Sequence, residues 1–243
     1  MIDGGGVSFP KIKICGLSRI DDIEVMNAVR PDYVGFVFVR SSSRYVTPER
    51  VAALRARLDD DIVTVGVFKD ADMSEITRLA ADGTIRMAQL HGGEDAEYIS
   101  RLRERCAKAG LMDVQVIKAL SAEALFNNRV DDDRADVFLA DIAHDGSGRP
   151  DFLLVDNGDG GTGRSFDWSA LRGRHRDGLL YPGDEGVGLP FFLAGGVGEG
   201  NIEDAICMAP YGIDVSSGVE TDGVKDADKI KRLVEAVRSR RRK

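Results

Sequence analysis

The residues best suited to acid–base chemistry are a cysteine and an aspartate, each at the end of an apolar segment. Cys15 closes the segment KIKIC at 11–15, and Asp156 follows the four apolar residues FLLV at 152–155. A thiolate base facing a carboxylic acid can transfer protons without a metal. Each residue also has a structural alternative, since a cysteine can be buried and inert and an aspartate can accept backbone hydrogen bonds. The pair predicts a proton-transfer site if the fold brings both to one place.

Charged or titratable residues accompany three other apolar segments. Arg44 lies just beyond the segment at 33–39, and His91 ends the segment at 85–91. An arginine can hold a substrate carboxylate through two parallel hydrogen bonds, and the alternative for Arg44 is a surface ion pair. His91 is a candidate substrate contact, with a hydrogen-bonded structural histidine as the alternative. Lys118 is interpreted as a charge in the protein interior.

Glycines and serines follow the last two apolar segments. These residues are Gly195, Gly196, Ser216, Ser217 and Gly218. Glycine allows the backbone to approach a ligand closely, serine adds a donor, and backbone N–H groups at a helix start bind phosphate. Tight turns are the alternative. We predict a phosphate site formed by both stretches.

Apolar segments and helical patterns alternate about eight times along the chain, which favours a parallel sheet with helices outside it. Eight units in 243 residues, without a GxGxxG motif after the first strand, favour a single (β/α)8 barrel over an open sheet. The exits of all strands then share one rim, where such barrels carry their chemistry. We predict strands at 11–15, 33–39, 62–68, 85–91, 114–120, 152–155, 191–194 and 212–216. We predict helices at 20–29, 51–58 (capped by Thr47, with Pro48 first), 74–81, 95–107, about 121–144, from 167, 200–208 and 226–238.

The predicted barrel spans 1–243 as one domain, with 1–9 a flexible N-terminal extension. The net charge of −8 argues against a general binder of nucleic acid or anionic membranes. No apolar run reaches the roughly 18–20 residues of a membrane span, and the start of the chain lacks a signal peptide. We therefore expect a cytoplasmic protein. The three cysteines form no CxxC pair, so neither disulfides nor a zinc site are expected, and Cys106 and Cys207 are predicted to be core residues.

Several motifs together identify a resemblance to a known family. They are KIKICGLSR at 11–19, QLHGGED at 89–95, GGTGRSFDW at 160–168, FLAGGV at 192–197 and DVSSGVE at 214–220. In combination they are highly specific, and they run from the first predicted strand to the last. The chain resembles the phosphoribosylanthranilate isomerase family, whose fold is the (β/α)8 barrel.

The resemblance implies an Amadori rearrangement, the third step of the chorismate branch of tryptophan biosynthesis. N-(5-phospho-β-D-ribosyl)anthranilate becomes 1-(2-carboxyphenylamino)-1-deoxy-D-ribulose 5-phosphate, with no cofactor and no metal. By this resemblance Asp156 is the general acid and Cys15 the general base, Arg44 lies near the anthranilate carboxylate, and His91 and Asp214 contact the substrate. The implied partner is a phosphorylated small molecule, and the implied protein is a monomer or homodimer.

Three segments depart from the family pattern. The loop 157–159 is short, while the insertion 172–188 and the acidic stretch 131–151 are long. A related histidine-pathway aminoaldose isomerase is an alternative, but it carries an aspartate where this chain has Cys15. Other phosphosugar enzymes need metal-binding histidines or a Schiff-base lysine, and only three histidines and Lys118 are available. A barrel that binds phosphate without catalysis is disfavoured because Cys15 and Asp156 are both present.

Overall fold

Eight parallel strands close a barrel in the order of the chain. The computed structural model describes residues 10–122, 125, 138, 139, 142, 148–157, 168 and 188–239. Each strand pairs with the next, and the first strand also pairs with the eighth. The strands are β1 (Lys11–Cys15), β2 (Tyr33–Val37), β3 (Val63–Phe68), β4 (Met87–Leu90), β5 (Gln115–Ser121), β6 (Phe152–Asp156), β7 (Phe191–Leu193) and β8 (Gly212–Val215). The predicted (β/α)8 barrel is confirmed.

Helices lie between the strands wherever the connecting chain is described. Their bounds are α1 (Ile20–Val29), α2 (Pro48–Arg55), α3 (Met73–Ala81), α4 (Ala96–Lys108), α5 (Ile202–Cys207) and α6 (Ala227–Ser239). A 3-10 turn at Ser217–Val219 and a short antiparallel pair, β9 (Glu220–Thr221) and β10 (Val224–Lys225), follow β8. Among the described residues, no helix has the length and apolarity needed to cross a membrane.

Helix starts follow from local side chains. The Thr47 hydroxyl accepts a hydrogen bond from the backbone N–H of Arg50, and Pro48 occupies the first turn of α2. The Asp95 carboxylate accepts from the N–H of Tyr98 at the start of α4. Both contacts satisfy an N–H group that has no partner within its own helix. The predicted cap at Thr47 is confirmed.

Alternation along the strands sorts side chains between two faces of the barrel wall. On β1, Ile12 and Ile14 join the core between sheet and helices, so Lys13 and Cys15 face the barrel interior. The same alternation turns Asp214 of β8 inward, because Ile213 and Val215 pack outward. Interior positions of such barrels are normally apolar and stacked in layers. Polar residues at these positions therefore point to function.

An aromatic cluster fills the interior near the strand starts. Phe152, Phe192 and Tyr211 pack with ring centroids 4.7–5.6 Å apart, and the edge of Tyr33 meets Phe192 at 5.4 Å. The hydroxyls of Tyr33 and Tyr211 are 2.7 Å apart, so the polar ends of both rings are satisfied inside an apolar cluster. This packing closes one end of the barrel and leaves its polar interior at the other end.

Several sequence predictions need correction at their ends. The second strand stops at Val37 and not at 39, because the chain turns after Phe38: the Ser42 N–H donates to the Val39 oxygen, and the Val46 N–H donates to the Val37 oxygen. The fourth strand covers Met87–Leu90 and not 85–91. Cys106 is buried as predicted, but Cys207 is exposed, so its assignment to the core is wrong. The reason is the face on which it lies: Ile202, Ala205 and Met208 follow one another at a spacing of three and are buried, while Cys207 lies on another face of the helix.

Other predictions fall on residues outside those described. They include the extension 1–9, the helices expected within 121–144 and from 167, and the glycine-rich loop after Asp156. The insertion 172–188 and most of the acidic stretch 131–151 also lie there. These interpretations stay predictions.

Candidate active site

The predicted base lies at the carboxyl end of β1 in a crowded, buried position. Cys15 is 7% exposed and pairs with Gly35 of β2. A Cβ atom on Gly35 would come within 2.6 Å of the Cys15 Sγ, closer than real contacts allow. Glycine at this position therefore makes room for the thiol. No local sequence pattern indicates this pairing, because it depends on the register of two strands.

A buried ion pair lies beneath the thiol. Lys13, two residues before Cys15 and on the same face, is fully buried, and its Nζ lies 3.0 Å from the Asp214 Oδ1. Burial alone would lower the pKa of Lys13, but the neighbouring charges of Asp214 and Cys15 raise it above its usual value. Lys13 thus stays cationic in the barrel interior.

The thiol is subject to opposing electrostatic effects. Burial raises the pKa of Cys15 and outweighs the positive charges of Lys13 and Lys225, which pull the pKa down. The Asp214 carboxylate adds to the rise. A thiolate here therefore depends on the two lysines.

The predicted substrate arginine is held by a carboxylate after β8. Arg44 Nε donates to Glu220 Oε1 at 2.8 Å, and Nη2 donates to Oε2 at 2.7 Å. The edge formed by Nε and Nη2 is thus engaged in two bonds with Glu220, while the edge formed by Nη1 and Nη2 presents one N–H from each nitrogen. The assignment of Arg44 to a substrate carboxylate stays a prediction, and it concerns this second edge.

Glu220 also holds a second cation. The Nζ of Lys225 donates to Glu220 Oε1 at 2.7 Å and to the backbone oxygen of Ser216 at 2.9 Å. Burial alone would raise the pKa of Glu220, but hydrogen bonds from Arg44 and Lys225 and their charges lower it to about 2. Burial also lowers the pKa of Lys225. One carboxylate therefore fixes two cations beside Cys15.

The predicted acid lies at the end of β6 and contacts the predicted histidine. Asp156 is 6% exposed, and its Oδ2 lies 2.9 Å from the His91 Nε2. The other ring nitrogen, Nδ1, lies 3.2 Å from Gln89 Nε2. Asp156 and His91 are thus brought together, and β7 and β8 separate Asp156 from Cys15 around the barrel.

Lys118 anchors the loop that follows His91. Its Nζ donates to the backbone oxygen of Gly92 at 2.7 Å and to Glu94 Oε2 at 3.0 Å. Glu94 in turn accepts from the N–H groups of Asp70 and Gly92. These bonds satisfy a buried lysine and a buried glutamate. The interpretation of Lys118 as an interior charge is confirmed.

The predicted phosphate residues form two touching loops. Gly218 lies so close to the loop after β7 that a Cβ atom on it would collide with the Val197 oxygen. In the part of the chain that is described, no residue accepts a hydrogen bond from the backbone N–H of Gly196, Ser217 or Gly218. Such donors suit an oxyanion. The Ser216 hydroxyl donates to the Cys15 backbone oxygen at 3.1 Å, which ties these loops to the predicted base.

Four residues of the site were not singled out from the sequence: Lys13, Gln89, Glu220 and Lys225. Lys13 and Gln89 carried a usable signal, because each lies two residues before a predicted site residue and therefore on the same face. Glu220 and Lys225 follow the last strand, and their position opposite Arg44 requires the closed barrel. Among the described residues, no three His, Cys, Asp or Glu side chains are grouped so that they could hold a metal ion.

A buried aspartate and a buried cysteine at the carboxyl rim of a (β/α)8 barrel, beside two glycine-serine loops, are typical of an acid–base enzyme for a phosphorylated ligand. The family model for N-(5'phosphoribosyl)anthranilate (PRA) isomerase matches residues 12–236. The N-(5'-phosphoribosyl)anthranilate isomerase of Endomicrobium trichonymphae is 39% identical over 235 residues, which cover 95% of this chain and 99% of that relative. The chain therefore belongs to the N-(5'-phosphoribosyl)anthranilate isomerase family and is an isomerase, which confirms the resemblance drawn from its motifs.

Solved structures agree with this assignment. The phosphoribosyl anthranilate isomerase from Thermus thermophilus has a TM-score of 0.73 at 29% identity, covering 94% of this chain and 98% of that one. Another phosphoribosyl anthranilate isomerase was solved in complex with reduced 1-(o-carboxyphenylamino)-1-deoxyribulose 5-phosphate. It has a TM-score of 0.70 at 28% identity, covering 95% of this chain and 99% of that one.

Proposed function

We propose that this chain converts N-(5-phospho-β-D-ribosyl)anthranilate to 1-(2-carboxyphenylamino)-1-deoxy-D-ribulose 5-phosphate in tryptophan biosynthesis, with Asp156 as general acid and Cys15 as general base. One observation carries the assignment of roles. Both residues are buried, at the carboxyl ends of β1 and β6, in a chain of this isomerase family. The rim of such a barrel is where catalytic residues lie.

The first step opens the sugar ring. Asp156 donates a proton to the furanose ring oxygen while the bond between that oxygen and C1 breaks. The lone pair of the anthranilate nitrogen forms a C1=N bond, which gives a protonated Schiff base. Asp156 is left as a carboxylate, which the hydrogen bond from His91 is suited to stabilise.

The second step moves the double bond. The Cys15 thiolate removes the proton from C2, and the electron pair of that C–H bond forms C1=C2 while the C1=N electrons return to nitrogen. The resulting enolamine loses its C2 hydroxyl proton and gains a proton at C1, which yields the ketone. The cations of Lys13 and Lys225 favour the thiolate, and the charge of the Schiff base strengthens this effect when substrate is bound.

The remaining site residues bind the substrate. The free edge of Arg44 is positioned by Glu220 and suits the anthranilate carboxylate. The Asp214 carboxylate can accept hydrogen bonds from sugar hydroxyls, with His91 as a further contact. The backbone N–H groups of Gly195, Gly196, Ser217 and Gly218, together with Ser216, are suited to the phosphate.

The proposal extends to the setting of the enzyme. A phosphorylated anionic substrate does not cross membranes unaided, so we place the enzyme in the cytoplasm, where such intermediates are made and consumed. We propose a monomer or a homodimer, which gel filtration with light scattering distinguishes. No contact with nucleic acid or membrane is needed for the chemistry.

The test is loss of anthranilate fluorescence after freshly made phosphoribosylanthranilate is mixed with chelator-treated protein. We expect rapid loss beyond the spontaneous decay of the substrate. The Asp156→Asn variant should lose about two to four orders of magnitude in kcat, the usual contribution of a positioned acid. A folded wild-type protein without activity contradicts the function, and near-normal turnover of Asp156→Asn contradicts the role of that residue. The histidine-pathway aminoaldose serves as the comparison substrate.

A further inference from the structure

Three polar side chains form a line from the interior of the barrel to the acid. Gln89 is 2% exposed, and it lies two residues before His91, so both share one face. Gln89 Nε2 is 3.2 Å from His91 Nδ1, and His91 Nε2 is 2.9 Å from Asp156 Oδ2. Nothing in the proposed mechanism uses Gln89.

The amide determines which ring nitrogen carries a proton. The structure turns the amide nitrogen of Gln89 toward the ring, and an amide N–H can only donate, so in this orientation Nδ1 accepts and carries no proton. In the neutral ring, the proton then lies on Nε2. Nε2–H therefore donates to Asp156 Oδ2. The tautomer of His91 follows from the identity and orientation of residue 89.

This tautomer in turn determines where Asp156 holds its proton. Oδ2 accepts from Nε2–H, so the acidic proton of Asp156 lies on Oδ1. His91 has no lone pair directed at Asp156, so it cannot take that proton. We propose that Gln89 is a positioning residue for the general acid, which keeps the transferable proton on Asp156 Oδ1 by fixing His91 as the Nε2–H tautomer. This inference rests on the proposed function of Asp156.

An amide suits this role better than the alternatives at position 89. A carboxylate would accept from Nδ1–H and favour a ring protonated at both nitrogens. Asp156 would then face a cation and stay ionised, without a proton to give. An apolar residue would leave Nδ1 without a donor, and the ring could then expose a lone pair at Nε2 and accept the proton of Asp156.

The direct test is to determine the tautomer of His91 by ¹H–¹⁵N correlation spectroscopy of the imidazole ring. The chain has three histidines, and the variants His144→Gln and His175→Gln complete the assignment. In the wild type we expect a pyrrole-type nitrogen at Nε2 and a pyridine-type nitrogen at Nδ1. A wild-type ring with its proton on Nδ1 corresponds to the amide turned over and overturns the proposal.

Two variants connect the tautomer to the rate. Gln89→Met keeps the length of the side chain but removes the donor, and we expect mixed tautomers and about a tenfold fall in kcat, the size of one hydrogen bond. Gln89→Glu should give a ring protonated at both nitrogens and a comparable fall in kcat. In both variants KM should change less than about twofold, because Gln89 lies behind the site.

The control is Gln115→Glu, the same substitution at the exposed start of β5, which should leave the spectrum and the rate unchanged. A purely structural role would lower stability without changing the tautomer. If a Gln89 variant keeps the wild-type kcat while Asp156→Asn is inactive, the inference is overturned. If the wild type lacks isomerase activity, the proposed function fails, and the spectrum still decides the tautomer.

Discussion

Replacing Glu220 by glutamine should destabilise the protein in a way that depends on pH. Glu220 accepts hydrogen bonds from Arg44 and Lys225, and its pKa falls from the ordinary 4.5 to about 2. A full shift of that size corresponds to about 3.4 kcal/mol. Water at the rim screens the charges, so we expect about 2 kcal/mol at pH 7.

The sign follows from the direction of the shift. A carboxylate with a depressed pKa contributes its stability above the unfolded-state value, here 4.5, and loses it as the pH falls toward the folded-state value. The two pKa values imply that more than half of the pH-dependent contribution of Glu220 is lost by roughly pH 3. The difference between wild type and Glu220→Gln should therefore be largest near neutral pH.

Thermal unfolding at several pH values measures this difference. At pH 7 we expect the Tm of Glu220→Gln to lie about 4–8 °C below that of the wild type, from the scaling for a chain of this size. Glu24→Gln, at an exposed position on α1, is the matched control and should shift Tm little. A Tm difference for Glu220→Gln that is the same at pH 7 and pH 3, or that is absent, would refute the role of Glu220 as a shared counter-ion.

Three further predictions concern Cys15. Lys13→Met should raise the pKa of the thiol by at least about one unit, and Asp214→Asn should lower it, since the two charges act on this pKa in opposite directions. The pH dependence of iodoacetamide alkylation measures both pKa values. Shifts of both pKa values in the same direction would contradict the argument. Gly35→Ala should displace the thiol, because the added Cβ lies 2.6 Å from Sγ. We expect kcat, measured from steady-state rates, to fall about tenfold or more, while circular dichroism shows that the variant is folded. Cys15→Ser should lower kcat by about two to four orders of magnitude with the Tm nearly unchanged.

The fold could be predicted because its signals are local. Each strand is a short apolar run with glycine or a polar residue at its exit, and several helices have a side-chain cap, as at Thr47, Asp72 and Asp95. The errors occurred where an apolar residue fits the pattern of a strand or a helix but lies in a different environment. Val39 extends the apolar run at 33–39, but it begins a turn in which its oxygen accepts from the Ser42 N–H. Cys207 fits a helical pattern, but the buried face of α5 runs through Ile202, Ala205 and Met208 and does not include it.

The candidate residues could be predicted for a similar reason, because strand exits share a rim in every such barrel. Their partners could not, because pairing depends on strand register and on closure of the barrel. Lys13 and Asp214 are 201 positions apart, yet β1 and β8 place them side by side. Arg44 and Glu220 are 176 positions apart. No local pattern indicates such contacts, so the ion pair that was the alternative for Arg44 could not be given its partner, Glu220.

These partners explain how one barrel can hold an acid and a base at opposite parts of its mouth. Cys15 lies among cations, with Lys13 beneath it and Lys225 beside it, and their charges lower the pKa of the thiol against the larger effect of burial, which raises it. Asp156 contacts the imidazole of His91, which Gln89 contacts in turn. Proton transfer from Asp156 and to Cys15 requires this difference between the two halves of the rim. It arises because charged residues of β1, β8 and the chain after β8 cluster on one side, while β4 and β6 supply amide, imidazole and carboxyl groups on the other.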